Sequence, residues 1–253
     1  MGRLAFWNGL LVLALVFSSR ALAESCASPL LAANDNLSVS SATVIGFVGG
    51  FVKHDNQAHS VVQLGERLRN AFPGGVHVQI FENHRRSAAY EDILQRLDSN
   101  HDGALSADEK KTARIIIYGH SWGGSETVTL ARMLERAGIP VLMTIQVDSV
   151  SKIGQNDSVI PANVEQAVNF YQEQGLVHGR VRIRAADPAR TQILGNLRFD
   201  YSESAIHCQG YPWFNRLLIK AHTQMECDPE VWNQVEAMIR GRLSPALRET
   251  AAK

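Results

Sequence analysis

The stretch Ile115-Ile116-Ile117-Tyr118-Gly119-His120-Ser121-Trp122-Gly123-Gly124 decides how this chain of 253 residues is read. Its three isoleucines are a β-branched run without a polar side chain, the composition of a strand buried on both faces. The run passes directly into Gly-x-Ser-x-Gly at residues 119–123. Behind that turn, Glu126–Leu134 carries apolar residues at helical spacing. A serine on a sharp strand-to-helix turn is lifted clear of its neighbours, with its hydroxyl exposed above the sheet. The flanking glycines let strand and helix pass closely without side-chain collision. The order strand, turn, helix carries the weight, because the five-residue pattern alone also arises by chance.

Outward from this point, apolar strand-like runs alternate with helical patterns. Ser41–Val48 reads as a strand ending in the glycine-rich Gly46-Phe47-Val48-Gly49-Gly50, and Val61–Phe72 as a helix with Val62, Leu64, Leu68 and Phe72 on its apolar face. A strand over Gly75–Phe81, a helix over Ala88–Leu97 and a strand over Pro140–Val147, closed by Asp148, follow the same logic. Further on, the pattern predicts a helix over Val164–Gln172, a strand at Val181–Ile183 and a last helix over Glu230–Arg242. This alternation predicts the α/β class, with a mostly parallel sheet and helices on both faces. No repeat, low-complexity block or linker divides the chain, so residues 24–253 are expected to form a single domain.

The strand–Gly-x-Ser-x-Gly–helix unit resembles the nucleophile elbow of the α/β-hydrolase superfamily. The resemblance implies a single-domain α/β-hydrolase fold and a secreted lipase- or esterase-like serine hydrolase that acts on a small ester or lipid. A serine hydroxyl is a weak nucleophile, so it needs a neighbouring base, itself oriented by a carboxylate. In the superfamily the chain order is Ser, then Asp or Glu, then His. Ser121, Asp148 and His222 satisfy that order. Asp148 closes the strand after the elbow, as in secreted lipases related to the pancreatic enzymes. Asp187, one strand later, occupies the more usual place and is the alternative acid. His222 lies in what reads as a loop before the last helix, where the superfamily puts its base. His207 is the second choice, Asp228 is expected to fix the loop, and His120 is expected to be structural.

Ester cleavage also needs donors for the developing oxyanion. The residue after the nucleophile supplies one backbone N–H, here that of Trp122. Lipases carry His-Gly-Phe after an earlier strand, and this chain has Ile45-Gly46-Phe47. The resemblance therefore implies Phe47 N–H as second donor, with Gly49 or Gly50 as replacements.

A second motif is independent of the first. Asp98-Ser99-Asn100-His101-Asp102-Gly103-Ala104-Leu105-Ser106-Ala107-Asp108-Glu109 meets D-x-[DN]-x-[DN]-G-x₅-E at every fixed position. It resembles an EF-hand calcium loop. The resemblance implies oxygen ligands from Asp98, Asn100 and Asp102, the Ala104 carbonyl, Ser106 through a water, and a bidentate Glu109, with Gly103 allowing the sharp turn. A lone loop in a secreted protein reads as a structural Ca²⁺ clip, with the affinity of extracellular modules, about 10⁻⁴–10⁻³ M.

Residues 1–23 read as a secretion signal, with Arg3 before the apolar run Leu4–Phe17 and Ala21-Leu22-Ala23 as cleavage site. A secreted or periplasmic location follows. Loss of Arg3 and Arg20 turns the balance of 25 basic and 25 acidic residues to a formal −2. That charge excludes nucleic acid as an expected partner, and no later segment is long and apolar enough to span a membrane stably. Of Cys26, Cys208 and Cys227, the last two are the favoured bridge, since both lie in the section that must position a histidine; three free thiols are the alternative. Two other readings stay open. One is a thioesterase, amidase or peptidase on the same scaffold, and the other a non-catalytic secreted calcium-binding protein.

Overall fold

Every residue of β1 (Ala42–Val48), β3 (Ile115–His120) and β4 (Val141–Val147) is buried, as strands covered on both faces must be. The computed structural model describes residues 42–203, 206–211, 215 and 219–251. The expected leader at 1–23, Cys26 and Ser41 lie outside these residues. The three buried strands sit inside a six-stranded sheet with β2 (Val76–Glu82), β6 (Val164–Tyr171) and β8 (Gln192–Arg198), ordered β2-β1-β3-β4-β6-β8. All five pairings are parallel.

Alternation along the strands divides the core into two layers. Val44, Val48, Ile116, Tyr118 and Ile145 pack with Leu64 and Leu68 of α1 (Ser60–Ala71) and with Trp232 and Val235 of the last helix. Ile45, Phe47, Ile115 and Ile117 face the other way, onto Ile93 of α2 (Arg86–Leu97) and Val128, Leu130 and Leu134 of α4 (Trp122–Arg136). Helices therefore cover both faces, as the alternation predicts. A short α3 (Ala107–Lys111) precedes β3, and α5 (Lys220–Cys227) precedes α6 (Pro229–Ala251).

The strand order runs outward in one direction through β1 and β2, and in the other through β3, β4, β6 and β8. The reversal falls between β1 and β3, and open α/β sheets bind ligands in the crevice outside the carboxyl ends at such a point. Gly49-Gly50 and Ser121 leave the sheet there.

Three expectations about elements are corrected. Val164–Gln172 is not a helix but strand β6, with Phe170 fully buried in the core. The reason is visible in the residues: Val164, Ala167, Val168 and Tyr171 fall at i, i+3, i+4 and i+7, yet the segment is short, β-branched and aromatic, and a central position between β4 and β8 favours the pleat. The strand expected at Val181–Ile183 reduces to β7 (Arg184–Ala185), paired with β5 (Val159–Ile160), while the edge strand β8, interrupted by Gly195, has no sequence expectation behind it. Finally, His222 lies not in a loop but in α5, where Ala221 through Glu226 are all buried.

Candidate active site

Ser121 adopts φ 57° and ψ −124°, a region that L residues occupy only when their surroundings force it. Several contacts do so. The Ser121 N–H donates to the Val147 carbonyl at 3.0 Å, and its carbonyl accepts the Val150 N–H at 3.1 Å. A Cβ on Gly119 would collide with the Gly123 carbonyl, and one on Gly123 with the Phe47 carbonyl. Only glycine lets the N-terminus of α4 approach β1 and β3 this closely. The serine is thus held at the mouth of the crevice by backbone geometry.

His222 Nε2 stands 2.9 Å from Ser121 Oγ, and its Nδ1 stands 2.7 Å from Asp148 Oδ2. Asp148 is fully buried and sits at φ 43° at the end of β4. Its carboxylate also accepts the Gly179 N–H at 2.6 Å and the Gln172 side-chain amide at 2.8 Å. A carboxylate can only accept, so the 2.7 Å bond fixes the proton on Nδ1 and turns the Nε2 lone pair toward the serine hydroxyl. The alternatives lie elsewhere. Asp187 accepts the Ala189 N–H in a surface turn, and His207 is exposed. Asp228 accepts the Tyr201 hydroxyl at 2.7 Å and the Glu230 N–H at 2.8 Å, capping α6.

Of the two oxyanion donors expected, one directly follows Ser121 in the chain. Trp122 is the first residue of α4, where the helix itself leaves N–H groups unpaired. Phe47 is not at the site: β1 continues past it to Val48, it pairs with Phe81 and Gly119, and it is fully buried. The residues from this loop that line the cleft with Ser121 are Gly49, Gly50 and Phe51. A Cβ on Gly49 would lie 2.9 Å from that of Ser121, and the Gly50 carbonyl is held by the Asn83 amide. The Gly50 N–H has no partner among the described residues.

The cleft holds about 850 Å³, and its wall includes a group that the sequence did not single out. His59 Nδ1 lies 2.5 Å from Glu226 Oε1, both buried, and His120 Nδ1 lies 3.5 Å from Glu226 Oε2. The His120 ring leans on that of His222, with centroids 4.6 Å apart. Burial lowers the His120 pKa to about 4. Burial also pushes Glu226 up, but His120 and the hydrogen bond from His59 outweigh it and leave its pKa below the ordinary value. Glu226 follows His222 by one helical turn, a signal available only once α5 is known to be a helix. A disulfide, Cys208–Cys227, fastens the end of that helix.

The acidic loop lies between α2 and α3. Gly103 has φ +82°. Asp98 accepts the Asp102 and Gly103 N–H groups at 3.2 and 2.9 Å, and Asp102 accepts that of Ala104 at 2.8 Å. Asn100 Oδ1 accepts the Asp102 N–H at 3.0 Å. Glu109 receives the N–H and hydroxyl of both Ser106 and Ser99 at 2.8–2.9 Å, which hold its pKa at about 2. Among the described residues, no three His, Cys, Asp or Glu side chains converge as a metal cluster. The donor set is all oxygen and suits Ca²⁺, and binding would require Glu109 to exchange its serine partners for the ion.

No protein-family model matches the chain, and no curated protein matches it. Among solved structures, it is similar to RedJ with a polyethylene glycol molecule bound in the active site, at 10% identity and TM-score 0.38, over 74% of this chain and 91% of that one. It is also similar to a cutinase-like protein from Cryptococcus sp., at 12% identity and TM-score 0.37, over 80% and 95% of the two chains. A third is the RedJ thioesterase from the prodiginine biosynthetic pathway in Streptomyces coelicolor, at 10% identity and TM-score 0.35, over 72% and 90%.

Proposed function

We propose that this chain is a serine hydrolase that cleaves carboxylic esters through Ser121, His222 and Asp148. One observation carries the reading: a strained, glycine-walled serine within 2.9 Å of an imidazole whose other nitrogen is 2.7 Å from a buried carboxylate. Ser121 Oγ attacks the acyl carbon while His222 Nε2 takes its proton. Asp148 then faces the imidazolium and stabilises it. The carbonyl oxygen gains the negative charge and accepts hydrogen bonds from the N–H groups of Trp122 and Gly50. Collapse breaks the ester C–O bond, and the departing alcohol takes the proton from His222. Water repeats the sequence on the acyl-serine, giving a carboxylic acid and free Ser121.

Small esters fit the cleft better than long lipids, because Lys53, Asp55, Asn56 and His59 line it beside Phe51 and Val52. Export to an oxidising compartment is part of the proposal; the leader pattern at residues 1–23 and the Cys208–Cys227 bridge support it. Among the described residues no helix is long and apolar enough to cross a membrane.

Ca²⁺ belongs to the proposal as a structural ion in the loop at 98–109. Asp98, Asn100, Asp102, the Ala104 carbonyl, Ser106 and Glu109 would hold it. It would supply electrostatic cross-linking of α2 to α3 ahead of β3.

The test is labelling with a fluorophosphonate, followed by turnover of chromogenic esters, thioesters and amides. Labelling at Ser121 that is lost in Ser121→Ala is expected, with esters turned over fastest. Absence of labelling in the folded wild type would leave a non-catalytic protein, and a preference for thioesters or amides would move the substrate class.

A further inference from the structure

The cleft contains two imidazole–carboxylate pairs, and ester cleavage as proposed uses only one. His222 spends Nδ1 on Asp148 and Nε2 on Ser121. His59 spends Nδ1 on Glu226, yet its other nitrogen has no hydrogen-bond partner among the described residues. His59 lines the cleft together with Ser121, and its Nε2, unlike that of His120, is not a sealed and orphaned atom. The pair is held from several sides. His59 is the N-cap residue of α1, the Tyr211 ring stands steeply tilted to its own with centroids 4.8 Å apart, and Glu226 rides on α5 next to the disulfide. Since the carboxylate accepts, Nδ1 carries the proton, and Nε2 is the nitrogen that His59 leaves for the cleft.

We propose that His59, oriented by Glu226, is a specificity-determining residue that hydrogen-bonds to a hydroxyl on the substrate, so that the preferred substrates are esters of polyols or of hydroxy acids. The inference rests on the ester-cleaving reading of Ser121. A hydroxyl is the fitting partner because it can both donate and accept, while Lys53 and Asp55 carry opposite charges and Glu226 is already engaged by His59. A plain alkyl ester would instead bury Nε2 unpaired. Sites that hydrogen-bond a substrate hydroxyl discriminate strongly against analogues lacking it for that reason.

The experiment compares kcat/KM within two matched pairs, glycerol monobutyrate against propyl butyrate and methyl 3-hydroxybutyrate against methyl butyrate. The pairs place the hydroxyl on the alcohol and acyl sides. Wild type is expected to favour the hydroxylated member of at least one pair by about tenfold or more. His59→Phe should bring that ratio to near unity. Because His59→Phe leaves Glu226 buried without its partner, His59→Phe combined with Glu226→Leu removes both groups together, and melting curves report folding of each variant. A collapsed ratio in either folded variant supports the proposal. Wild type that turns over plain esters with ratios within about twofold in both pairs, or a preference that survives both variants, overturns it while leaving Ser121 as nucleophile. Wild type that turns over no ester overturns both.

Discussion

His222 Nε2 lies 2.9 Å from Ser121 Oγ across 101 residues of sequence. Neither side chain reaches for the other. Ser121 is fixed by the turn between β3 and α4, and His222 by a buried helix that a disulfide and the Asp228 cap hold at the start of α6. Asp148 arrives separately, at the end of the neighbouring strand, where β4 pairs in register with β3. Such geometry is preorganised by the sheet, so substitutions that alter charge without altering the sheet separate chemistry from folding.

Asp148→Asn is expected to lower kcat by up to about 10⁴-fold, because an amide can donate to Nδ1 and favour the wrong tautomer of His222. Asp187→Asn removes only a turn carboxylate and should leave kcat within about twofold. Steady-state kinetics on one chromogenic ester decide it. The reverse ranking would transfer the acid to the later position.

Gly123→Ala is expected to cost roughly 2 kcal/mol of stability and most of the activity, since its methyl group would run into the Phe47 carbonyl in a strand that cannot retreat. Gly241→Ala is the control. It lies inside α6 with open space where a Cβ would stand, and should stabilise by about 0.5–1 kcal/mol. Melting curves of the two variants should therefore shift in opposite directions.

The sheet was legible where burial on both faces writes itself as Ile115-Ile116-Ile117 or as Val141–Val147, and the elbow where glycines are required by collision. It was illegible where one pattern serves two periods, as in β6, and where an edge strand such as β8 is polar and broken by Gly195. His59 and Glu226 carried no sequence signal, because 167 residues separate them and α5 did not read as a helix. Phe47 was misplaced for a simpler reason: the strand outlasts the Gly-Phe pair by one residue, so the turn begins at Gly49.

Stability should fall as pH drops from 7 to 5, and His120 should account for a measurable share. Its pKa is lowered from 6.5 to about 4 by burial, so between those values the unfolded chain binds a proton that the folded chain refuses. Stability therefore rises with pH in that window, by about 2 kcal/mol between pH 5 and 7, or roughly 4–8 °C in Tm. His120→Phe removes the titrating group, while His77, whose pKa burial also lowers, stays in both proteins. The variant should lose less Tm than wild type over the same interval. Equal losses would mean that His120 charges without cost in the folded state.

The proposed calcium clip makes the last prediction, and Glu109 is its most informative residue. In the structure Glu109 holds Ser99 and Ser106 together through four hydrogen bonds. Bound Ca²⁺ would compete with those serine donors for the same two oxygens, and the gain on binding is the difference between the two arrangements. Affinity should accordingly fall at the weak end for such loops, about 10⁻⁴–10⁻³ M. A ligand that binds only the folded state stabilises by RT ln(1 + [L]/Kd), roughly 2.7 kcal/mol at about 100 Kd. Saturating Ca²⁺ should therefore raise Tm over chelator by several degrees, with Mg²⁺ a poor substitute because it demands a tighter octahedral shell. Asp98→Ala deletes a ligand and also the acceptor of the Asp102 and Gly103 N–H groups, so it should lower Tm in chelator and weaken the calcium response. Glu109→Gln keeps the shape but loses the charge, and should abolish most of that response. Identical wild-type curves in chelator and in Ca²⁺ would make the loop a serine-capped acidic turn whose resemblance to a calcium site stops at the residue types.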